Sequence, residues 1–366
     1  MRTGFKALIA HGGGPTAVLN ASLAGVVDAC RGVASALYGS RFGLTGDRID
    51  LLRISPEKIA AIAGTPGSAI GSSRAELSAT DIARLVEDID IVFYTGGNGS
   101  MQTALELSRH CQVIGIPKTI DNDLLVTHHT PGYASTGYFF ACAARDVGAD
   151  NRSLPSPICV LETLGRNAGW IVAATSLART TPDDAPHLIY FPERPLSLDR
   201  MAADVETVYR RLGRVVVAVC EGQMDETGSP FGADVDRPAS AAHRLASNLG
   251  HTLARRLSEK LGLRARAEKP GLLGRSCGPY ARERDRREAY ECGRAAVRAA
   301  AEGRTGIMIA LDRQGGTFST PLESVARRER TFPLEWISPS GNDVTSAFID
   351  YASPLIGEVS GYARFE

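Results

Sequence analysis

Residues 114–123 read Ile-Gly-Ile-Pro-Lys-Thr-Ile-Asp-Asn-Asp, IGIPKTIDND, an apolar run that ends in a lysine, a threonine and two acids. The apolar part has strand character. The polar part sits where a strand would hand over to a loop, and this is where α/β sheets collect their chemistry. Asp121 and Asp123 lie two apart, so an extended segment would turn both to one side and Asn122 to the other. A solvated turn is the plain alternative, and the rest of the chain has to choose between them.

Two other stretches repeat the device. KALIAH is followed by GGG and then by AVLNASLAGVVDAC, which is apolar at helical spacing; IDIVFYT is followed by TGGNGS and a helix-like MQTALELSRH. CQVIGI then leads into the opening motif. Further on, SPICVLET and RVVVAVCE are β-branched runs of buried-strand length, a charged, Ala-rich helix is expected over Arg282–Gly303, and GIMIAL follows as one more strand. Strands alternating with helices indicate α/β architecture, a largely parallel sheet covered by helices on both faces. Beyond Asp312 the pattern weakens, and an irregular C-terminal piece is expected.

The bulk numbers narrow the function. At 366 residues the chain is long enough for two cores. Lysine plus arginine and aspartate plus glutamate balance at 41 each, which gives no footprint for nucleic acid or an anionic membrane. No apolar run reaches the ~20 residues of a membrane span, and the N-terminal apolar run is too short for a secretory signal. Seven cysteines scattered without CxxC spacing favour a reducing, cytoplasmic setting over a disulfide framework or a zinc site.

Glycine loops after separate strands of one sheet would converge on one crevice, and bare glycines at helix N-termini suit phosphate oxygens. Gly12 and Gly13 in the first loop and Gly96, Gly97, Asn98, Gly99 and Ser100 in the second are therefore candidate donor-site residues, Ser100 as a cap of the helix that follows. Arg74, in AIGSSR, is a third candidate for phosphate oxygens. In the opening motif a carboxylate can take a proton from a sugar hydroxyl, Lys118 can neutralise a transferring phosphoryl group, and Thr119 can orient the substrate. Arg166 and Glu221 each end a buried-strand run, where a single charge can read a polar ligand; an ion pair closing the core edge is the alternative. Arg266 and Arg275, in RARAEKPGLLGRS, are further candidate anion contacts, with membership of the flanking Arg-rich surface as the alternative. His128 and His129 lack metal-ligand spacing and read as supporting groups, and Trp170 and Trp336 read as core. A nicotinamide-binding fold lacks its GxGxxG and ribose-binding acid here.

Taken in order, HGGGPTAVLN, GSSR, TGGNGS, IPKTIDND, TPGYAS, LGRNAGW, APHLIYFPE, AVCEG and LLGRS resemble the phosphofructokinase family, and the set is similar to the subgroup that commonly uses pyrophosphate. The resemblance implies two Rossmann-like lobes, a donor-binding one over 1–131 plus about 276–310 and a sugar-phosphate-binding one over 132–275 plus about 311–366. It implies a homodimer or homotetramer with sites completed across the interface, and magnesium as cofactor. Asp121 falls on the base that activates the sugar 1-hydroxyl, and Asp123, with Asn98, on the metal position. Thr119, Leu164, Gly165, Arg166 and Glu221 fall on the sugar-phosphate site, Arg275 on a 6-phosphate contact, and Arg266 on an arginine lent by a neighbour. Gly13 and residues 96–99 fall on the donor site, with Arg74 bridging to the transferring phosphate.

The departures concern donor and acceptor. Gly99 stands where pyrophosphate users usually carry an aspartate, which leaves room for a nucleotide; Lys118 is the residue expected in pyrophosphate users. Steric room thus favours ATP and overall similarity favours pyrophosphate. Asn98 replaces an aspartate of many relatives, Leu272 a phosphate-binding histidine, and Pro157 an arginine. The expected activity is transfer from ATP or pyrophosphate to the 1-hydroxyl of fructose 6-phosphate or a related sugar phosphate. A kinase for a different sugar, or a silent sugar-phosphate-binding protein of the same fold, is the alternative.

Overall fold

The computed structural model describes residues 2–75, 77–154, 157–231 and 248–365. Its strands are β1 (Phe5–His11), β2 (Ala34–Ser40), β3 (Arg48–Asp50), β4 (Ile91–Gly96), β5 (Gln112–Pro117), β6 (Ile158–Thr163), β7 (Leu188–Tyr190), β8 (Val215–Cys220), β9 (Ala265–Glu268), β10 (Ile307–Leu311) and β11 (Thr317–Pro321). The helices are α1 (Leu19–Cys30), α2 (Pro56–Ala63), α3 (Ala79–Val86), α4 (Asn98–Leu107), α5 (Tyr133–Ser153), α6 (Trp170–Ala174), α7 (Leu198–Leu212), α8 (Leu249–Leu261), α9 (Glu283–Ala301) and α10 (Ser346–Ile356). The chain forms two compact units, residues 1–135 with 275–330 and residues 136–274 with 331–366.

The first unit is built on a seven-stranded sheet in the order β11-β10-β5-β4-β1-β2-β3. The inner pairs are parallel, while β3 and β11 run antiparallel at the two edges. Strands β1, β4 and β5 are apolar on both faces because both are covered. Phe5, Ile9, Phe93 and Ile114 face one core, and Leu8, Val92, Tyr94 and Val113 face the other. On the first face α1 lies close against α9. A Cβ at Gly25 would strike the Tyr290 carbonyl, and one at Gly293 the Ser22 carbonyl, so glycine is what lets the two helices approach.

The second unit holds an all-parallel sheet in the order β7-β8-β6-β9. Its core combines Val160, Val217 and Val219 with Met201 and Val205 of α7 and Leu253 and Leu257 of α8. Trp170 packs edge-on against Phe332 and Trp336, so both tryptophans belong to an aromatic cluster.

Several elements depart from the sequence reading. The half-buried β2 lacks a β-branched run, and the three-residue β7 is too short to register as a strand. Beyond Asp312 the chain is more regular than its composition suggests, with β11 and α10. Strand β11 pairs with β10 from Leu311↔Thr317 onward, and the first unit extends to Arg330 rather than to about residue 310. Ser156, the first residue of the SPICVLET run, lies outside the described residues, and β6 begins at Ile158.

Candidate functional site

In the first unit, parallel strands β1, β4 and β5 deliver three loops to the carboxyl end of the sheet, as the repeated strand-end glycines predicted. The Lys118 ammonium is nearly buried and donates to the carbonyls of Gly12 (2.8 Å) and Gly14 (2.7 Å). Gly13 adopts φ +78°, a conformation that glycine takes without steric cost, and a Cβ there would lie 3.3 Å from Lys118 Nζ. The loop carrying Arg74 runs alongside: Gly13 N–H donates to the Ser73 carbonyl (2.9 Å) and the Ser72 hydroxyl to the Gly13 carbonyl (2.6 Å).

Lys118 has its pKa lowered from 10.5 to about 7, first by burial and then by the positive charges of Arg275 and Arg74, with Asp121 and Asp123 acting the other way. A neutral amine has two N–H groups and an ammonium three. The two loop carbonyls therefore satisfy the neutral form, and protonation supplies a third donor. An arriving phosphate would favour that proton, because a nearby anion stabilises the charged form.

The second loop forms the start of α4. Gly97 precedes the helix, and Asn98, Gly99 and Ser100 are its first residues, so main-chain N–H groups at a helix N-terminus are available to an anion. Ser100 is not the expected cap. It is the third helical residue, and its hydroxyl bonds the Tyr94 hydroxyl. The Ser100 hydroxyl fills the space a side chain at Gly12 or Gly96 would need. At Gly99, by contrast, an added Cβ meets nothing within 4 Å among the described residues.

The opening motif behaves differently from an extended strand end. Asn122 has φ +54°, so the loop turns in the left-handed region between the two acids, and the expected strand-like alternation gives way to a tight turn. The outcome is still a segregation. Asn122 is fully buried and accepts from Thr130 N (3.1 Å), whereas Asp121 and Asp123 both act on Lys118. Thr119 Oγ1 accepts from Asp121 N (3.1 Å) and its hydroxyl bonds Asp123. Asn98 Nδ2 donates to Asp123 Oδ2 (2.9 Å). Burial first and the negative charge of Glu329 second push the Asp123 carboxyl up.

Asn98 Oδ1 and Asp123 Oδ1 are buried without a hydrogen-bond partner among the described residues. Two orphaned oxygens on residues joined by a hydrogen bond suit a hard cation such as magnesium, which is usually held by one or two carboxylates plus water and substrate phosphate. Among the described residues no cluster of three or more His, Cys, Asp or Glu could hold a metal by itself. Arg275 also belongs to this unit: a Cβ at Gly14 would lie 2.6 Å from its guanidinium. The supporting histidines lie here too, His129 Nε2 against Glu288 (2.8 Å) and His128 against His129 (3.0 Å).

In the second unit, β6 and β8 bring Leu164, Gly165 and Arg166 beside Glu221. Glu221 N donates to the Thr163 carbonyl (2.9 Å), and the Glu221 carboxylate accepts from the Arg166 main chain. Burial, the largest influence, raises the Glu221 pKa; Glu162 adds to it, and Lys269 and Arg166 oppose it. Arg166 is exposed, with φ +51°. The ion pair closing the core edge is formed by Glu162 instead, with Lys269 at 2.6 Å. Arg266, on β9, pairs with Asp150 at 3.3 Å and stays partly exposed. Leu272 is 63% exposed, and Pro157 offers its carbonyl to Val215 N (2.6 Å).

Sequence reasoning missed the groups that hold these loops. Arg330 bonds the carbonyls of Asn122, Thr127 and His128. Asp285 accepts from Gly132 N (2.8 Å), Ser135 N (3.0 Å) and Ser135 Oγ (2.6 Å) at the N-terminus of α5, where a buried acid meets the helix dipole. Glu193 accepts from Gly169 N (2.9 Å) and Phe332 N (2.7 Å). Arg330 and Asp285 sit among many surface charges, and nothing in their spacing marks them. Glu193 ends the quoted APHLIYFPE, the one available signal.

All seven cysteines are free, and among the described residues no helix is long and apolar enough to cross a membrane. The family model described as phosphofructokinase matches residues 6–300. A pyrophosphate–fructose 6-phosphate 1-phosphotransferase of Rhodospirillum rubrum is 37% identical, over 96% of this chain and 94% of its own. A sulfofructose kinase of Alkalicoccus urumqiensis is 30% identical over 84% of each. The crystal structure of a pyrophosphate-dependent phosphofructokinase from Marinobacter aquaeolei superposes with a TM-score of 0.86 at 30% identity, covering 99% of this chain and 94% of that one. Matching family model, ordered motifs and shared fold agree: the chain belongs to the phosphofructokinase family of phosphotransferases.

Proposed function

We propose that the chain transfers a phosphoryl group from pyrophosphate to the 1-hydroxyl of fructose 6-phosphate or a close analogue, with magnesium bound. The observation that carries this reading is the cluster of Lys118, Asp121, Asp123 and Asn98 between two glycine loops. Asp121 takes the proton of the attacking hydroxyl, and Thr119 orients that group. Lys118, Arg74 and Arg275 spread their positive charge over the transferring phosphoryl oxygens, so catalysis is mainly positioning and charge neutralisation. Asp123 and Asn98 would hold magnesium, which supplies charge neutralisation on the donor phosphates. Gly12, Gly13 and residues 96–100 bind the donor. Leu164, Gly165, Arg166 and Glu221 bind the sugar. Arg266, partly exposed on β9, would complete a neighbour's site in a homodimer or homotetramer. The setting is the cytoplasm.

Pyrophosphate is supported by the names of the similar proteins and by Lys118. The open space at Gly99 favours a second reading, ATP. On the acceptor side, exposed Leu272 in place of a phosphate-binding histidine, together with the similar sulfofructose kinase, supports a sugar with a different anionic 6-substituent. The test is a matrix of pyrophosphate and ATP against fructose 6-phosphate and 6-deoxy-6-sulfofructose, with magnesium. Transfer in one cell of the matrix fixes both substrates. Binding of a sugar without transfer in any cell would replace this reading with a silent sugar-phosphate-binding protein.

A further inference from the structure

The loop carrying Asp121 and Asp123 is held in shape from outside its own sequence. It leaves β5 at Pro117 and passes two non-glycine residues in the left-handed region, Asn122 (φ +54°) and Val126 (φ +67°). A loop with such turns keeps one conformation only where its surroundings over-determine it. Arg330 does this. Its Nε and one terminal nitrogen donate to the Asn122 carbonyl (3.0 and 2.7 Å), and the other terminal nitrogen donates to the carbonyls of Thr127 (2.8 Å) and His128 (2.9 Å). Its main-chain N–H donates to the Asp123 carbonyl (2.7 Å). These five bonds all end on main-chain carbonyl oxygens, and they span the loop from the residue between the two acids to the far side of the turn. The planar fork of a guanidinium is what reaches both groups of carbonyls; a lysine ammonium is a point donor on a flexible stem.

We propose that Arg330 is a positioning residue for phosphoryl transfer: it fixes the Asn122 and Asp123 carbonyls and thereby aims both carboxylates. The inference rests on the roles given to Asp121 and Asp123 above. Thr130 holds the same turn through the Asn122 side-chain oxygen, whereas Arg330 holds the Asn122 main-chain carbonyl with two N–H groups. Without the fork the loop can relax about Asn122, and a shift of about 1 Å in reacting groups costs about 100-fold in rate.

The experiment compares Arg330→Met and Arg330→Lys with the unaltered enzyme and with Asp121→Ser, each checked for folding by circular dichroism and thermal melting. Turnover of Arg330→Met is expected to fall about 10- to 100-fold. Its magnesium half-saturation should rise several-fold, and free guanidinium should restore part of the rate. Arg330→Lys should fall between. A merely structural arginine would lower the melting temperature and the active fraction, but leave magnesium half-saturation unchanged and give no guanidinium rescue; that result overturns the proposal. If Arg330→Met does not fold, Arg330→Lys decides: wild-type turnover together with wild-type magnesium dependence overturns it. Near-normal turnover in Asp121→Ser would instead remove the reading on which the inference rests, whatever the arginine variants do.

Discussion

Asn98 donates its amide N–H to Asp123 Oδ2 at 2.9 Å, and the arrangement leaves one oxygen of each residue buried and unpartnered among the described residues. The amide thus satisfies one oxygen of the acid beside it. It binds its neighbour without a metal, which a carboxylate could not do.

Asn98→Asp should reverse that balance. Two carboxylates would face each other, so the metal-free protein should melt a few degrees lower and magnesium should restore the loss. Magnesium half-saturation of activity should fall several-fold, since a carboxylate is the stronger ligand for this ion. Melting curves with and without magnesium check it. A variant whose melting ignores magnesium would place the cation elsewhere.

Asp121→Ser should lower turnover by about 10²–10⁴-fold, the usual worth of a positioned general base. The fold should survive, because the Asp121 main chain keeps its bond to Thr119 Oγ1. Steady-state kinetics on the folded variant decide it, and near-normal turnover removes Asp121 from the mechanism.

Gly99→Asp should leave the fold intact, since an added Cβ there meets nothing within 4 Å among the described residues. The new carboxylate would repel and displace a nucleotide while sparing pyrophosphate. Any ATP-supported rate should therefore drop, with pyrophosphate kinetics little changed. Unaltered ATP kinetics in the variant would show that position 99 does not control donor choice.

Lys118 predicts two pH effects. Its folded pKa of about 7 lies below the ordinary 10.5, chiefly because of burial. Between those values the unfolded chain holds the proton and the folded chain does not, so this group's contribution to stability rises with pH from about 7 to 10.5. Below about pH 7 the full cost of the buried charge is present. Lys118→Met should flatten that rise in a melting-temperature profile. In the free enzyme the charged form is also lost above about pH 7, so kcat/KM for the donor should decline there. Lys118→Arg, always charged, should be slower but flat. A wild-type profile unchanged up to pH 9 would mean the ammonium is not required.

Much of the architecture was legible along the chain, because the features that reveal it are local. Buried parallel strands such as IDIVFYT and RVVVAVCE are covered on both faces and must be apolar throughout, and glycine is needed wherever main chain crowds a neighbour. The two-acid motif could likewise be recognised, since the residue types a phosphoryl transfer needs lie within one short segment. The weak strands β2, β7 and β11 were not visible: they owe their state to partners across the sheet, not to their own side chains.

Sequence alone therefore determined the α/β class, the strand-end loops and the identity of the acids and the lysine. Only the tertiary structure decided how those groups are held. It put Asn122 in a left-handed turn, made Ser100 a partner of Tyr94 and not a helix cap, and paired Lys269 with Glu162 at the edge of the second core. It also brought Arg330 to the Asn122 carbonyl, 208 residues away along the chain. The reason is physical. Main-chain carbonyls carry no sequence signature, so a side chain recruited to satisfy them at long range looks, in the sequence, like any other surface charge.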